Sequence, residues 1–258
     1  MHLLILGLAR QGKALARFAV GEGWRVTISD QRTAAQLTTD LAELADLPIT
    51  YVLGGHPESM LDGVDVLALS GGVPADGPLA QAAVARGIRL TNDSLEFTRR
   101  CPAPTIGITG SAGKTTTTTL VGLMGQTAVR RTWVGGNIGR PLIGDLAEMT
   151  PSDVVVQELS SFQLELWDRS PEVAAVLNIT PNHLDRHKTM ATYSAAKANI
   201  VRHQTGVDTA VLCADDAGAM ALQGLVRGRF APLQPAPTRG RRGVYPRWPN
   251  LVGGWAGE

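Results

Sequence analysis

Pro104-Thr105-Ile106-Gly107-Ile108-Thr109-Gly110-Ser111-Ala112-Gly113-Lys114-Thr115-Thr116 reads as a short apolar strand that runs into a glycine-rich loop and then into a helix. That succession is the frame of a phosphate-binding loop, because a helix N-terminus aims unpaired N–H groups and the positive end of its dipole at an anion. Gly110 and Gly113 let the loop's N–H groups turn inward around phosphate oxygens. Lys114 supplies a cation at the outer phosphates, and Thr115 or Thr116 offers a hydroxyl to Mg²⁺. Ser111 and Ala112 complete the cradle, and the nucleotide expected in it is ATP. The longer eight-residue form of the motif wants glycine at 108, where this chain has Ile108, so the match is to the shorter G-x-x-G-K-T-T form. A plain glycine turn before a threonine-rich helix is the structural alternative, and the joint spacing of Gly, Gly, Lys and Thr after a strand argues against it.

Upstream of the loop the chain reads as a separate α/β unit. His2 to Leu6 is an apolar strand; Gly7-Leu8-Ala9-Arg10-Gln11-Gly12 is a turn; Lys13 to Glu22 has Leu15, Phe18 and Ala19 on one helical face; Trp24 to Ser29 is the next strand, ending at Asp30. The turn lacks the middle glycine of a dinucleotide fingerprint, since Ala9 stands there. Asp30 sits where an acid binding ribose or uracil could lie, and equally where a helix cap could. Val64 to Leu69 is a buried strand that ends in Ser70-Gly71-Gly72-Val73-Pro74, the kind of strand C-terminus at which open α/β sheets bind ligands. Pro78 to Arg86 reads as a helix and Ile88 to Thr91 as a strand. Cys101-Pro102-Ala103-Pro104 is the linker, giving domains at 1–100 and 105–258.

Downstream, a helix runs through Thr119, Leu120 and Leu123, followed by Gly135-Gly136-Asn137-Ile138-Gly139. The strand Val154 to Val156 ends in Gln157-Glu158-Leu159-Ser160-Ser161-Phe162-Gln163-Leu164, which sets Glu158 at a strand terminus, either for nucleotide-bound Mg²⁺ or as a helix cap. Ala174 to Ile179 reads as a strand. His183, Asp185 and His187 after it are metal-like in type without matching a zinc spacing. Tyr193 to Val201 reads as a helix in which Lys197, taken alone, would be a solvated charge. From Arg227 onward six arginines alternate with proline and glycine, a pattern of loop or edge strand.

The 258 residues can bury more than one core, and 44% hydrophobic content, 18% charge and a net charge of +1 carry none of the field of a dedicated nucleic-acid binder. Cys101 and Cys213 show neither disulfide nor zinc spacing, which fits a reducing cytoplasm. No apolar run reaches the roughly 18 residues of a spanning helix, and no secretory leader is evident. Neither nucleic acid nor membrane is expected as a partner.

Taken together, six blocks in order resemble the Mur ligases, ATP-dependent amide-forming enzymes of peptidoglycan precursor synthesis. They are Gly7 to Gly12 with Ser70 to Pro74, Thr109 to Thr119, Gly135 to Gly139, Glu158 to Glu165, Asn178 to His187, and Tyr193-x-x-Ala196-Lys197. Among the family's members they look most like those that add D-glutamate to UDP-N-acetylmuramoyl-L-alanine. The resemblance implies a Rossmann-like first domain holding the UDP end through Arg10, Gln11, Asp30, Arg32, Ser70, Gly71 and Gly72, and a P-loop ATPase-type central domain with a parallel sheet. It implies that Asn137, Ser160 and Gln163 meet the substrate, that Lys114, His183 and Lys197 are catalytic, and that Thr115, Glu158, His183 and Lys197 serve two Mg²⁺ ions, with Lys197 carbamylated.

The implied reaction transfers the γ-phosphate of ATP to the L-alanine carboxylate, and the amine of D-glutamate then displaces phosphate from the acyl phosphate. A monomer is expected. The chain departs from the family at Ala112, where asparagine is common, at Gly71, where proline is common, and at Cys213, where asparagine is usual. It also reaches Glu258 without sequence for the family's C-terminal domain, so the expectation is a truncated central domain. The alternatives are a fragment that binds UDP-sugar or ATP without ligating, another Mur-type ligase, or a folylpolyglutamate-synthase-like enzyme, which the UDP-binding first domain disfavours.

Overall fold

The computed structural model describes residues 1–127 and 130–234. Among these, eleven strands form two wholly parallel sheets. The first contains β1 (His2–Leu6), β2 (Arg25–Asp30), β3 (Ile49–Leu53), β4 (Val66–Leu69) and β5 (Arg89–Thr91) in the order β3-β2-β1-β4-β5. Register sets Leu4 between Thr27 and Leu67. The order reverses at β1 and β4, and the crevice that such a reversal opens lies beyond their C-terminal ends, at Gly7 and Ser70.

Helix α1 (Arg10–Gly21) buries Leu15, Ala16 and Ala19 against this sheet. It starts at Arg10, one turn earlier than Lys13, so Arg10 and Gln11 belong to its first turn. α2 (Thr38–Ala42) is short; α3 (Pro78–Ala85) opens on Pro78, whose missing N–H costs nothing in a first turn. α4 (Asp93–Arg100) is capped by Asn92, whose side chain accepts from the Leu95 N–H. It buries Asp93, Ser94, Glu96 and Thr98 as well as Leu95 and Phe97.

The second sheet contains β6 (Thr105–Thr109), β7 (Thr132–Gly136), β8 (Val154–Glu158), β9 (Val173–Val176), β10 (Thr209–Cys213) and β11 (Arg229–Leu233) in the order β11-β10-β9-β6-β8-β7. Its helices are α5 (Lys114–Thr127), α6 (Ser161–Leu164), α7 (Leu184–His187), α8 (Met190–Arg202) and α9 (Ala217–Met220). β6 lies between β8 and β9, so the loop after β6 opens where connections leave to either side. β9 stops at Val176 rather than continuing to Ile179, because residues beyond it turn to hold the loop after β6. Ser111 N–H donates to the Asn178 carbonyl, and Ala112 N–H to the Asn178 side chain. β11 is the edge strand of the arginine-rich stretch, where Pro232 is tolerated because the strand pairs on one side alone. The rest of that stretch lies outside the described residues.

The two sheets share buried surface. Leu142, Ile143 and Met149, from the segment between β7 and β8, belong to one apolar cluster with Leu15, Ala19 and Phe97. α4 is stitched across the seam: Asn92 donates to the Gln163 carbonyl at 2.8 Å, Thr98 to the Gln157 side chain at 3.1 Å, and the Trp167 indole to Ser94 at 3.2 Å. Among the described residues no helix is long and apolar enough to cross a membrane.

Candidate nucleotide and substrate site

The loop after β6 is built by its neighbours. Gly113 holds φ +80°, a left-handed backbone that L side chains seldom adopt, and a Cβ on Gly110 would stand 3.0 Å from the Ala112 carbonyl. Asn178 braces Ala112 from both sides, accepting from its N–H at 2.8 Å and donating to its carbonyl at 3.1 Å. Ser111 Oγ bonds the Thr180 backbone and the Tyr193 hydroxyl. Lys114 is the first residue of α5, and its ammonium donates back to the Gly110 carbonyl at 2.9 Å.

Of the two threonines that follow, Thr115 carries the contact. Its hydroxyl donates to Glu158 Oε2 at 2.9 Å, whereas the Thr116 hydroxyl has no hydrogen-bond partner among the described residues. Glu158 ends β8 at 1% exposure, and its other oxygen accepts from Asn137 Nδ2 at 2.7 Å. Asn137 also donates its N–H to the Glu158 carbonyl at 2.9 Å. Gly136 makes this approach feasible, since it sits at φ +102° and a Cβ there would lie 2.5 Å from the Glu158 carbonyl. A hydroxyl and a carboxylate beside a phosphate loop are hard oxygen donors, which suits Mg²⁺ shared with phosphates. The helix-cap alternative for Glu158 is set aside, because Ser160 caps α6.

Lys197 is not a solvated charge. At 1% exposure on α8, its ammonium donates to the Thr109 hydroxyl at 3.2 Å and the Gly110 carbonyl at 3.0 Å, and lies 4.9 Å from the centre of the Tyr193 ring. Burial, reinforced by the nearby Lys114 charge, pushes it down to about 7. No hydrogen bond joins Lys197 or His183 to Glu158 or Thr115. His183 adopts φ 53° and meets the Phe162 ring edge-on; His187 stacks on the same ring and bonds Ser161 Oγ at 2.9 Å. His183, Asp185 and His187 therefore make no zinc-like centre, and among the described residues no group of three or more His, Cys, Asp or Glu side chains could hold a metal.

On the first sheet, Gly7 and Ser70 meet across the switch point, Ser70 Oγ donating to the Gly7 carbonyl at 2.9 Å. Gln11 accepts from the Gly71 N–H at 3.1 Å, and Gly72 stands open. Asp30 caps no helix. It accepts the Leu8 N–H at 2.8 Å and grips the Arg32 guanidinium through both oxygens, and Arg32 holds its carboxyl down at about 2. Arg10 reaches the second sheet instead, donating to the carbonyls of Asn137 and Gly139. Ser160 and Gln163 are occupied with each other in a reciprocal cap of α6.

Sequence reasoning passed over Asp93, which is 4% exposed beside Arg10 and Gln163. Burial pushes its carboxyl up to about 6, and one of its oxygens lacks a hydrogen-bond partner. The Asn92-Asp93-Ser94-Leu95-Glu96 run, a helix-start signature, was the signal available.

Comparison with known proteins agrees with this geometry. Residues 1–92 match the N-terminal domain model described as "Mur ligase MurD-like", and residues 108–230 match the Mur ligase middle domain. A UDP-N-acetylmuramoylalanine--D-glutamate ligase of Symbiobacterium thermophilum is 45% identical over 87% of this chain and 50% of its own length. The enzyme of the same name from Geotalea uraniireducens is 42% identical over 99% of this chain and 56% of its own. The chain thus spans about half the length of the curated relatives it matches. Among solved structures, a UDP-N-acetylmuramate:L-alanyl-gamma-D-glutamyl-meso-diaminopimelate ligase from Neisseria meningitides superposes with a TM-score of 0.59 at 16% identity, covering 90% of this chain and 77% of that one. A UDP-N-acetylmuramate-alanine ligase from Thermotoga maritima gives 0.51 at 22% identity over 86% of this chain and 51% of that one, so the likeness is one of fold. Two successive domain matches in chain order, on a pair of parallel sheets of which the second carries a phosphate loop, place the chain in the Mur ligase family.

Proposed function

We propose that the chain provides the UDP-substrate and ATP sites of a ligase that joins D-glutamate to UDP-N-acetylmuramoyl-L-alanine, residues 1–100 taking the UDP end and residues from 105 onward the nucleotide. The observation that carries this reading is the Thr115 hydroxyl on the Glu158 carboxylate at 2.9 Å, at the start of the helix that Lys114 opens. The identity to relatives named for this reaction supplies the substrate pair.

Amide formation from a carboxylate needs a leaving group, and phosphoryl transfer from ATP to the L-alanine carboxylate creates one. In this reading the N–H groups of Gly113, Lys114 and Thr115 hold phosphate oxygens, those of Ser111 and Ala112 being engaged by Asn178, and Lys114 releases the Gly110 carbonyl to face the transferring charge. Thr115 and Glu158 hold Mg²⁺, which when bound neutralises phosphate charge. Lys197 with its depressed pKa can exist as a free amine near neutrality, the form that reacts with CO₂ to give a carbamate. On the first sheet, Ser70, Gly71, Gly72 and the Asp30–Arg32 pair surround the crevice for the UDP end.

The direct test is calorimetric titration of the folded chain with UDP-N-acetylmuramoyl-L-alanine beside UDP-N-acetylmuramate and the muramoyl dipeptide. Preferential binding of the monoalanyl compound is expected. Equal affinity for all three, or none, in a sample with a cooperative melt would overturn the assignment.

A further inference from the structure

One side chain bridges the mouth of the cleft and leads to the metal-side carboxylate. Arg10, in the first turn of α1, donates from Nη1 to the Gly139 carbonyl at 2.5 Å and from Nη2 to the Asn137 carbonyl at 3.1 Å. These carbonyls belong to the turn after β7, bounded by Gly136 at φ +102° and Gly139 at φ +58°. The other side of that turn is Asn137, which holds the Glu158 backbone through its N–H and Glu158 Oε1 through its amide at 2.7 Å. Glu158 Oε2 is thereby the oxygen left for Thr115.

From this continuity we infer that Arg10 is a positioning residue: clamping the 137–139 turn from the first sheet, it fixes through Asn137 the orientation of the Glu158 carboxylate toward Mg²⁺. The inference rests on the reading of Thr115 and Glu158 as donors to nucleotide-bound Mg²⁺, and it gives Arg10 a task beyond holding the UDP end. A planar guanidinium with two N–H groups on carbonyls two residues apart fixes both peptide planes at once, which a lysine ammonium does less well. The turn needs such fixing, because two of its residues are glycines in left-handed conformations with little intrinsic preference for them. Asn137 then matters by geometry. An amide on one carboxylate oxygen prevents rotation of the carboxylate, the role that partners of metal ligands commonly play.

The test is Mg²⁺ titration of the chain saturated with β,γ-imido-ATP, read by calorimetry, for the unsubstituted chain, Arg10→Met, Asn137→Ala and the double variant. UDP-N-acetylmuramoyl-L-alanine affinity and the melting temperature are measured in parallel. Arg10→Met is expected to raise the Mg²⁺ dissociation constant by about three- to tenfold, below the range for a direct partner of a ligand. It should add little to Asn137→Ala in the double variant, since the two act in series. Arg10→Lys, which keeps the cation and loses the fork, is expected to fall between and serves if Arg10→Met melts early. An unchanged Mg²⁺ constant in both Arg10 variants, or effects of Arg10→Met and Asn137→Ala that multiply, overturns the inference while leaving the site reading intact. Absence of Mg²⁺-dependent nucleotide binding in the unsubstituted chain overturns both.

Discussion

The ammonium groups of Lys114 and Lys197 converge on a single acceptor, the Gly110 carbonyl oxygen, at 2.9 and 3.0 Å. Two like charges on one oxygen are unstable together, and the buried one yields: Lys197 falls to about 7 through burial first and the Lys114 charge second. Near pH 8 its amine is mostly unprotonated and nucleophilic. Attack of that neutral nitrogen on CO₂, with loss of one proton to solvent, replaces an uncharged amine by an anion that attracts Lys114. Incubation with ¹³C-labelled bicarbonate at pH 8 should therefore give a carbamate carbon resonance that is absent from Lys197→Arg. A folded chain with no such resonance would exclude the modification.

The same depressed pKa makes a stability statement. In the unfolded chain Lys197 holds its proton up to its ordinary value of 10.5, and in the folded chain only to about 7. Between those values the unfolded state binds more protons, so this group's contribution makes stability rise with pH across the window. Below about pH 7 its penalty is full and constant. Replacing Lys197 by Met should flatten the rise by a few kcal/mol at most, given about 1.4 kcal/mol per pKa unit. Urea unfolding at pH 7, 8 and 9 checks it; identical slopes in the two chains would mean that Lys197 stays protonated in the fold.

What the sequence made legible follows from how locally each feature is encoded. The β1–α1–β2 unit and the phosphate loop are set by short-range chemistry, apolar runs flanked by glycines whose positions their backbone conformations require. Helix α4 could not be read in that way. Four of its buried positions, Asp93, Ser94, Glu96 and Thr98, are polar, and what buries them lies in distant segments such as Gln157 and Trp167. β3 and β10 carry end signals, Gly54-Gly55 after the one and Asp215-Asp216 after the other, yet neither run is marked as a strand by its own pattern: β3 is an edge strand with no fully buried residue, and its apolar positions do not alternate cleanly. The burial of Lys197 depends on Thr109 and Gly110, far away in sequence, and only the family resemblance singled that lysine out. The family resemblance gives Arg10 to the UDP end, and its two carbonyl partners in the second unit leave no sequence mark.

Glu96 offers a test of how α4 is held. It is fully buried and accepts from the Thr91 hydroxyl at 2.6 Å, from Arg89 at 2.7 Å, from Arg99 at 2.9 Å, and from Arg100. Burial alone would raise its carboxyl, but Thr91 and the guanidiniums outweigh burial and hold it at about 2. Its contribution is complete above the ordinary value of 4.5 and is lost as pH falls toward 2, an acid-side loss of about 3 kcal/mol. Glu96→Gln leaves the cations unopposed and should cost about 3–5 kcal/mol at pH 7. It should also show a smaller loss between pH 5 and pH 3 than the unsubstituted chain; parallel acid dependence would assign the acid sensitivity to other carboxylates.

Two glycines of the first site should respond unequally to the same added methyl group. A Cβ on Gly12 would stand 2.2 Å from the Gly7 carbonyl and 3.1 Å from Ser70 Oγ, and the first of these is backbone that cannot swing aside. Because Ser70 is hydrogen-bonded to that same carbonyl, relief of the clash must push the Gly7 turn and the Ser70 loop apart. Gly12→Ala should destabilise by about 2–3 kcal/mol, at the upper end of overpacking costs, and should weaken binding of the UDP compound. Gly72 lies in the same crevice with nothing within 4 Å of its would-be Cβ and no left-handed backbone, so Gly72→Ala should stay within about 0.5 kcal/mol. Thermal unfolding of the two variants side by side decides the matter: equal losses would mean that the close approach of α1 to the Gly7 turn is not what shapes this end of the cleft.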